Sequence, residues 1–314
     1  MNNKINCNFK IDYSTLKSYK NIKRNFLSSV IWSTAIVFKI FWVLLRVLKY
    51  DSKNFINYFN TKNKKKIIEE GIRVSKISKD SVINIKNILK DDFNEYEINN
   101  KKNQINTFNN TIYKVNRKKI YDISKILLAD ANFNETLELI SKYRNITQKP
   151  KINFISLQII SHEDNYNQIR LKNEKKFPCE YMHKDSVIGQ LKILLYLSDV
   201  GIENGPFCFN PYSHNDGIAL LGNFVGAAVD NLKLYKRDFT NKKRFISLPK
   251  LFQIKGDFGS DIERNSNLSK ILLKSESKIL GSKGTFIFFD PLGVHRGGLV
   301  KKGRREILQI SIST

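Results

Sequence analysis

Histidine and cysteine are both scarce in this chain of 314 residues, with 4 and 3 copies respectively. Cys7, Cys179 and Cys208 are too few and too scattered for a disulfide framework or a thiolate zinc site. A reducing compartment such as the cytoplasm is therefore expected. The sequence also lacks a Walker-type loop, a Gly-x-Gly-x-x-Gly motif and an internal repeat of fixed period. Common nucleotide-binding motifs and repeat architectures are thereby disfavoured.

Acidic residues are few as well: 29 Asp and Glu stand against 54 Lys and Arg, which gives a formal charge of +25. Such an excess suits a partner that is nucleic acid or an anionic membrane, or it reflects an amino-acid usage rich in Lys, Asn and Ile. Lys greatly outnumbers Arg, and no stripe of cations is interleaved with base-stacking aromatics. Nucleic acid is therefore disfavoured as the main partner.

The most apolar run is residues 26–50, FLSSVIWSTAIVFKIFWVLLRVLKY, with Lys39 near its middle. It is long enough to cross a bilayer, but as a helix it would carry a second face that mixes Trp with cations. Three interpretations stay open: a helix docked on the main domain, a helix in the membrane interface, and a membrane span. We predict a basic N-terminal segment over 1–60 that contains this helix, with peripheral membrane contact through 26–50 as one option.

The main domain is predicted over 61–314, with a helical first part and a β-rich second part. Apolar residues at helical spacing predict helices from about Lys79 and in the runs YDISKILLAD and NFNETLELISKY, whereas the Asn- and Lys-rich residues 91–118 are predicted to be loop. Strands are predicted for NFISLQII, QLKILLYL, GTFIFFD and EILQISIS. No long helices alternate with these strands, so we expect a mainly β fold with flanking helices (α+β), a sandwich or open barrel. The long connection 215–283 is predicted to be a lid-like insertion.

Two His-x-Asp triplets are candidate metal sites, because side chains two residues apart on a strand share a face. His162-x-Asp164 lies among polar, turn-forming residues, whereas His183-x-Asp185 lies just ahead of a predicted strand. The second triplet is favoured, with His214 or His295 as the third ligand. Two imidazoles, one carboxylate and open positions form the facial triad of non-haem Fe(II) oxygenases.

A carboxylate-bearing co-substrate would also need a cation in the barrel. Arg304 and Arg305 open the last predicted strand and point to opposite faces, so only one of them can enter the barrel. Lys192 and Tyr196 alternate along the strand after the second triplet, and both are candidates for contact with a co-substrate or substrate. The other interpretation places Tyr196 in ordinary core and Lys192 at an edge.

Four segments together resemble the phytanoyl-CoA dioxygenase family of Fe(II)/2-oxoglutarate oxygenases: MHKD (182–185), LYLSDVGIENGPFCFNPYSH (195–214), GTFIFFDPLGVHRGG (284–298) and RREILQIS (304–311). The resemblance covers about residues 67–314 and implies a double-stranded β-helix (jelly-roll, cupin-like) core. It implies that His183, Asp185 and His295 bind Fe(II), and that Arg304, with Arg305 as second choice, binds the distal carboxylate of 2-oxoglutarate.

The resemblance also implies O₂ as oxidant and hydroxylation of a small-molecule substrate of the lipid, CoA-linked or sugar type. His214 matches a loop histidine that does not bind the metal, while Tyr212 stands where the family has glycine, which leaves the geometry of that loop open. Two alternatives remain: a non-catalytic β-sandwich binding protein at a membrane surface, and an oxygenase directed at nucleic acid.

Overall fold

The fold is known from a computed structural model, which places two antiparallel sheets and a set of helices. It describes residues 25–59, 70–102, 110–144, 150–161, 182–183, 185, 190–213, 224–225, 228–229, 231–232, 244, 247–249, 251–252, 267–291 and 293–313. The described helices are α1 (Phe26–Phe59), α2 (Lys79–Ile88), α3 (Lys90–Lys102), α4 (Arg117–Ala129), α5 (Ala131–Arg144) and α6 (Asn267–Ser275). The strands are β1 (Ile72–Lys76), β2 (Asn110–Lys114), β3 (Lys151–Ser161), β4 (Gln190–Tyr196), β5 (Phe207–Phe209), β6 (Ser277–Ile279), β7 (Thr285–Phe289), β8 (His295–Gly297) and β9 (Arg304–Ser313).

The strands form a major sheet in the order β1-β7-β4-β9-β3-β2 and a minor sheet in the order β6-β5-β8, and every pairing is antiparallel. Neighbours in the sheets are distant in sequence, as in a jelly roll, where the chain crosses between two facing sheets. The predicted fold class is confirmed: a mainly antiparallel double-stranded β-helix core with flanking helices.

Two apolar cores lie on the two faces of the major sheet. The outer face packs against α2, α4 and α5, and this core includes Ile85, Ile123, Phe133, Leu308 and Phe288. The inner face packs against the minor sheet through a smaller core, to which both sheets contribute: Leu194, Tyr196, Val200, Phe207, Phe209, Ile287, Phe289 and Ile307. Because side chains alternate along each strand, one strand serves both cores.

The prediction of a loop over residues 91–118 is wrong, because most of these residues form α3 and β2. Asp91 and Asp92 lie in the first turn of α3, where carboxylates interact favourably with the helix dipole. Tyr96 is buried in the outer core and fixes this otherwise polar helix. β2 is held by its pairing with β3. Tertiary contacts therefore override a composition that resembles a loop.

Helix α1 docks on part of the long connection between β5 and β7. Its buried residue Ile36 packs with Val225, Ala228, Val229 and Leu248, which belong to the predicted 215–283 insertion. That stretch also supplies β6 to the minor sheet, so its end is part of the core; a lid role for the rest stays a prediction. Among the described residues, one helical stretch, Phe26–Leu45, is long and apolar enough to cross a membrane, and 11% of it is buried.

Candidate metal centre

Two histidines distant in sequence are joined by backbone hydrogen bonds. His183 and His295 form an isolated antiparallel bridge, in which each amide donates to the other residue's carbonyl, at 3.0 and 2.9 Å. Asp185 is fixed in turn, because its amide donates to the carbonyl of Pro291 at 2.8 Å. The backbone thus aligns the His-x-Asp pair beside β8.

The three side chains converge on one point. The possible ligand atoms of His183, Asp185 and His295 all lie within 4.8 Å of one another. His295 Nε2 lies 3.4 Å from Asp185 Oδ2, and His183 Nε2 lies 3.9 Å from Asp185 Oδ1. Two imidazole nitrogens and one carboxylate at this spacing could hold a divalent metal on one side and leave its other positions open.

The ring of His295 is oriented from behind. Its Nδ1 lies 2.8 Å from the carbonyl oxygen of Gly293, to which a protonated Nδ1 donates. This contact directs Nε2, the other ring nitrogen, toward Asp185. Gly293 is held tightly: a Cβ at this position would come within 2.4 Å of the Phe209 ring. Only glycine lets the chain approach closely enough to present that carbonyl.

The carboxylate of Asp185 is surrounded by cationic or hydrogen-bonding groups. Lys192 Nζ donates to its Oδ2 at 2.6 Å. Burial raises the pKa of Asp185, but the charge and hydrogen bond of His295, followed by the charges of Lys192 and His183, outweigh this effect. The pKa of Asp185 is therefore held well below its usual range, and the carboxylate is ionised and ready to act as a metal ligand.

The three residues open onto a cavity of about 290 Å³ between the two sheets. Its lining residues are Gln158, Ile160, His183, Asp185, Lys192, Leu194, Phe207, Phe289, His295, Arg296, Gly297, Arg305, Ile307 and Gln309. Polar and charged side chains alternate here with apolar ones such as Leu194, Phe207 and Phe289, as expected of a site for a small polar molecule.

The two neighbouring arginines separate, and the placement expected for Arg304 is wrong. Arg305 is 2% exposed, lines the cavity and donates to the carbonyl of Gly298 at 3.3 Å. Arg304 lies on the outer face of β9, where it pairs with Glu97 and, at 2.7 Å, with Glu306. The cause is the alternation of side chains along β9. Arg304 is on the same face of the strand as Leu308, which belongs to the outer core, and Arg305 is on the same face as Ile307, which belongs to the inner core.

Lys192 and Tyr196 also have different surroundings. Lys192 lines the cavity beside Asp185. Tyr196 is fully buried and is absent from the cavity wall; its hydroxyl donates to the carbonyl of Ile279 at 2.9 Å and accepts from the amide of Phe207 at 3.0 Å. Burial raises the pKa of Tyr196 to about 12. Tyr196 therefore ties the major sheet to both β5 and β6, and the interpretation of it as core is the one the structure supports.

Several polar residues of the cavity were not singled out from the sequence. Gln158 donates to Gln309 at 2.6 Å across β3 and β9. Arg296 makes a bidentate ion pair with Glu276, at 2.6 and 2.8 Å. A polar residue in an otherwise apolar strand, as at Gln158 and Gln309, was the available signal. His162, Asp164 and His214 lie outside the described residues.

The loop after β5 supports the strand that carries His295. Ser213 Oγ accepts from the amide of Val294 at 2.7 Å and donates to the carbonyl of Asn210 at 2.6 Å. Tyr212 has a φ of 64°, in the left-handed region that favours glycine. The loop therefore adopts a glycine-like conformation with tyrosine in that position.

No protein-family model and no curated protein matches the chain. Weak matches exist among solved structures. HygX from Streptomyces hygroscopicus, with nickel and 2-oxoglutarate bound, is 12% identical over 78% of this chain and 83% of that one, with a TM-score of 0.42. The α-ketoglutarate-dependent epimerase SnoN from nogalamycin biosynthesis is 9% identical over 82% and 81%, with a TM-score of 0.42. EctD from S. alaskensis is 13% identical over 78% and 74%, with a TM-score of 0.41. Likeness at this level assigns no activity, which must be inferred from the site.

Proposed function

We propose that this protein is an Fe(II)- and 2-oxoglutarate-dependent dioxygenase that hydroxylates a small molecule. The observation that carries the proposal is the convergence of His183, Asp185 and His295 within 4.8 Å at the wall of a cavity that also contains a buried arginine. A metal triad beside a fixed cation suits a metal-chelating co-substrate with a second anionic end.

The donor set fits Fe(II). Mixed nitrogen and oxygen ligands suit iron, and three protein ligands leave positions for a co-substrate and an oxidant. Asp185 is ionised, and the hydrogen bond from His295 Nδ1 to Gly293 fixes the tautomer that presents Nε2. Iron, when bound, supplies the O₂ activation that couples the decarboxylation of 2-oxoglutarate to oxidation of a substrate C–H bond.

The cavity residues would bind and orient 2-oxoglutarate. Arg305 offers a planar pair of donors that matches a carboxylate, in a buried environment where such bonds are strong. Lys192 keeps Asp185 oriented and adds a second positive charge to the same cavity. The apolar wall, including Leu194, Phe207 and Phe289, excludes water from the reacting groups. We assign the carboxylate-binding role to Arg305 in place of Arg304.

Likeness to the phytanoyl-CoA dioxygenase family rests on the order of the motifs around His183, His295 and the paired arginines. Retention of Asp185 supports hydroxylation, because the carboxylate keeps the position that a halide would need. The ion pair of Arg296 with Glu276 at the cavity wall is a natural place for contact with the substrate. The substrate class, a lipid, CoA-linked or sugar-type compound, belongs to the same proposal.

The test is an anaerobic titration of the purified protein with Fe(II) and 2-oxoglutarate, followed by the visible charge-transfer band of the chelate. We expect a band in the wild type, its loss in His183→Ala, and an unchanged band in His162→Ala, the control in the other His-x-Asp triplet. A wild type with no band and no measurable Fe(II) affinity would contradict the proposal and favour a non-catalytic binding protein. Strongly salt-dependent binding to DNA or RNA would point instead to a nucleic-acid substrate.

A further inference from the structure

Helix α1 presents an apolar stripe to solvent that no described part of the protein covers. We propose that this stripe lies in the interface of an anionic membrane and holds the domain on its surface. The lipid face is defined by Leu27, Ile31, Phe38, Phe41 and Leu45, which are between 48% and 71% exposed. Elsewhere, exposed apolar residues are mostly scattered on different elements, as is usual for a soluble domain.

The opposite face of α1 is already occupied by protein. Ile36 and Val43 are buried, and Ile36 packs with Trp32 and Ile40 against the described residues of the 215–283 stretch. At about 100° per residue, these positions fall on the side of the helix opposite Phe38 and Leu45. A bilayer-spanning helix would present both sides to lipid. A helix that packs on protein along one side fits the interface plane, with one side in the acyl boundary.

The positive charge around α1 favours an anionic membrane over a second copy of the chain as the partner of the lipid face. Residues 1–50 contain nine Lys and Arg and a single acid, Asp12, and the whole chain has a formal charge of +25. Anionic headgroups complement this charge, whereas a second copy of the chain would bring the same positive charge to the contact. Lys39 Nζ lies 4.0 Å from the centre of the Trp42 ring, a cation and aromatic pair suited to the depth of the headgroups.

The first experiment measures co-sedimentation of the full chain with vesicles of phosphatidylcholine alone or mixed with phosphatidylserine. We expect binding to the anionic vesicles that weakens with salt. Phe38→Asp with Phe41→Asp should reduce binding at least about tenfold, because two exposed rings lose their apolar contact with lipid. The matched control is Ile83→Asp with Ile271→Asp, two residues of other helices that are 56% and 52% exposed. This control should bind like the wild type.

The second experiment uses the chain's two tryptophans, which point about 80° apart around α1, with Trp42 nearer the lipid face and Trp32 nearer the docked face. Trp42 is 46% exposed, whereas Trp32 packs on the docked face beneath the Arg244 guanidinium, 4.8 Å from the ring centre. In anionic vesicles with brominated acyl chains, the Trp32→Phe variant, which retains Trp42, should be strongly quenched. The Trp42→Phe variant, which retains Trp32, should be quenched much less.

Three results would overturn the proposal. Equal strong quenching of both tryptophans would mean that α1 leaves the domain and spans the bilayer. Binding of the wild type to neither kind of vesicle would exclude a lipid surface. A dimer in analytical ultracentrifugation that Phe38→Asp with Phe41→Asp dissociates, without vesicle binding, would assign the lipid face to a second copy. None of these measurements needs iron or turnover, so they stand apart from the test of the oxygenase.

Discussion

The two faces of the major sheet come from the same strands and have different roles. The outer face is filled with apolar side chains against α2, α4 and α5, and its one buried carboxylate among the described residues of β9, Glu306, pairs with Lys86 and Arg304. The inner face is apolar where it meets the minor sheet, but it keeps Lys192, Arg305 and Gln309 around an open cavity. Polar groups in such a place need hydrogen-bond partners, which Lys192 and Gln309 have in Asp185 and Gln158, and they fill the space less completely than an apolar core would. The outer face therefore stabilises the protein, and the inner face gives up packing to form a site.

Strand β9 shows the comparison at the scale of single residues. Arg304 and Arg305 are neighbours in sequence, share one chemistry and have opposite surroundings. If the two faces are functionally separate, substitution of one arginine should change ligand affinity and substitution of the other should change stability.

Arg305→Ala should weaken 2-oxoglutarate binding to the Fe(II)-loaded protein by about 100-fold, because a buried charged donor to a carboxylate is worth roughly 2–5 kcal/mol. The anaerobic titration of the charge-transfer band measures it. Arg304→Ala is the matched control and should change 2-oxoglutarate affinity by less than about twofold, since its guanidinium is outside the cavity. Equal losses in the two variants would break the distinction between the faces.

Tyr196→Phe should lower the free energy of unfolding by about 2 kcal/mol and leave 2-oxoglutarate affinity unchanged. The substitution removes the hydroxyl that joins Ile279 and Phe207, and it leaves a half-buried carbonyl and a buried amide without that partner. Urea unfolding followed by circular dichroism measures the change. A loss of 2-oxoglutarate affinity in a stably folded variant would show that Tyr196 contacts the co-substrate after all.

Arg304→Ala should lower the free energy of unfolding by about 1 kcal/mol. Glu306, whose side chain is 3% exposed, would keep Lys86 at 2.8 Å but lose its second cation. Glu97→Ala is the control for the exposed half of this cluster and should cost about 0.5 kcal/mol or less, because solvent screens that pair. If Glu97→Ala costs more than Arg304→Ala, the buried carboxylate is not the partner that matters.

Period and spacing predict much of this molecule. Alternating apolar residues locate β3, β4, β7 and β9. The sequence also favours the second His-x-Asp triplet, and in the structure His183 and Asp185 of that triplet lie beside His295. The sequence also predicts that only one arginine of the pair enters the barrel. Strand alternation does not say which one, and the family resemblance indicated Arg304, which is the wrong one. The answer depends on which face of β9 packs against the helices. The sequence does not reveal this, because both faces contain apolar residues, Leu308 on one and Ile307 on the other.

What the sequence could not provide are the contacts that depend on distant backbone atoms. The carbonyl of Gly293 that orients His295 belongs to a turn. The hydrogen bond between Gln158 and Gln309 joins two strands across a sequence separation of 151 residues. Helix α3 was missed for a related reason: its local composition is polar, and its position depends on burial of Tyr96. Local patterns carry no information on such partners.

The smallest effect concerns the loop that ends the inner face. Tyr212 is 39% exposed and has a φ of 64°. Its backbone conformation therefore lowers the stability of the protein through strain, while its ring contributes little buried packing. Tyr212→Ala and Tyr212→Gly both remove the ring, but only glycine adopts this conformation without strain. The glycine variant should therefore be more stable than the alanine variant by about 0.5 kcal/mol in urea unfolding, since relief of the left-handed strain is partly offset by the entropy that glycine loses on folding. Equal stability would mean that the loop relaxes once the ring is gone, and Ser213, which accepts from the amide of Val294, would then be free to shift the strand that carries His295.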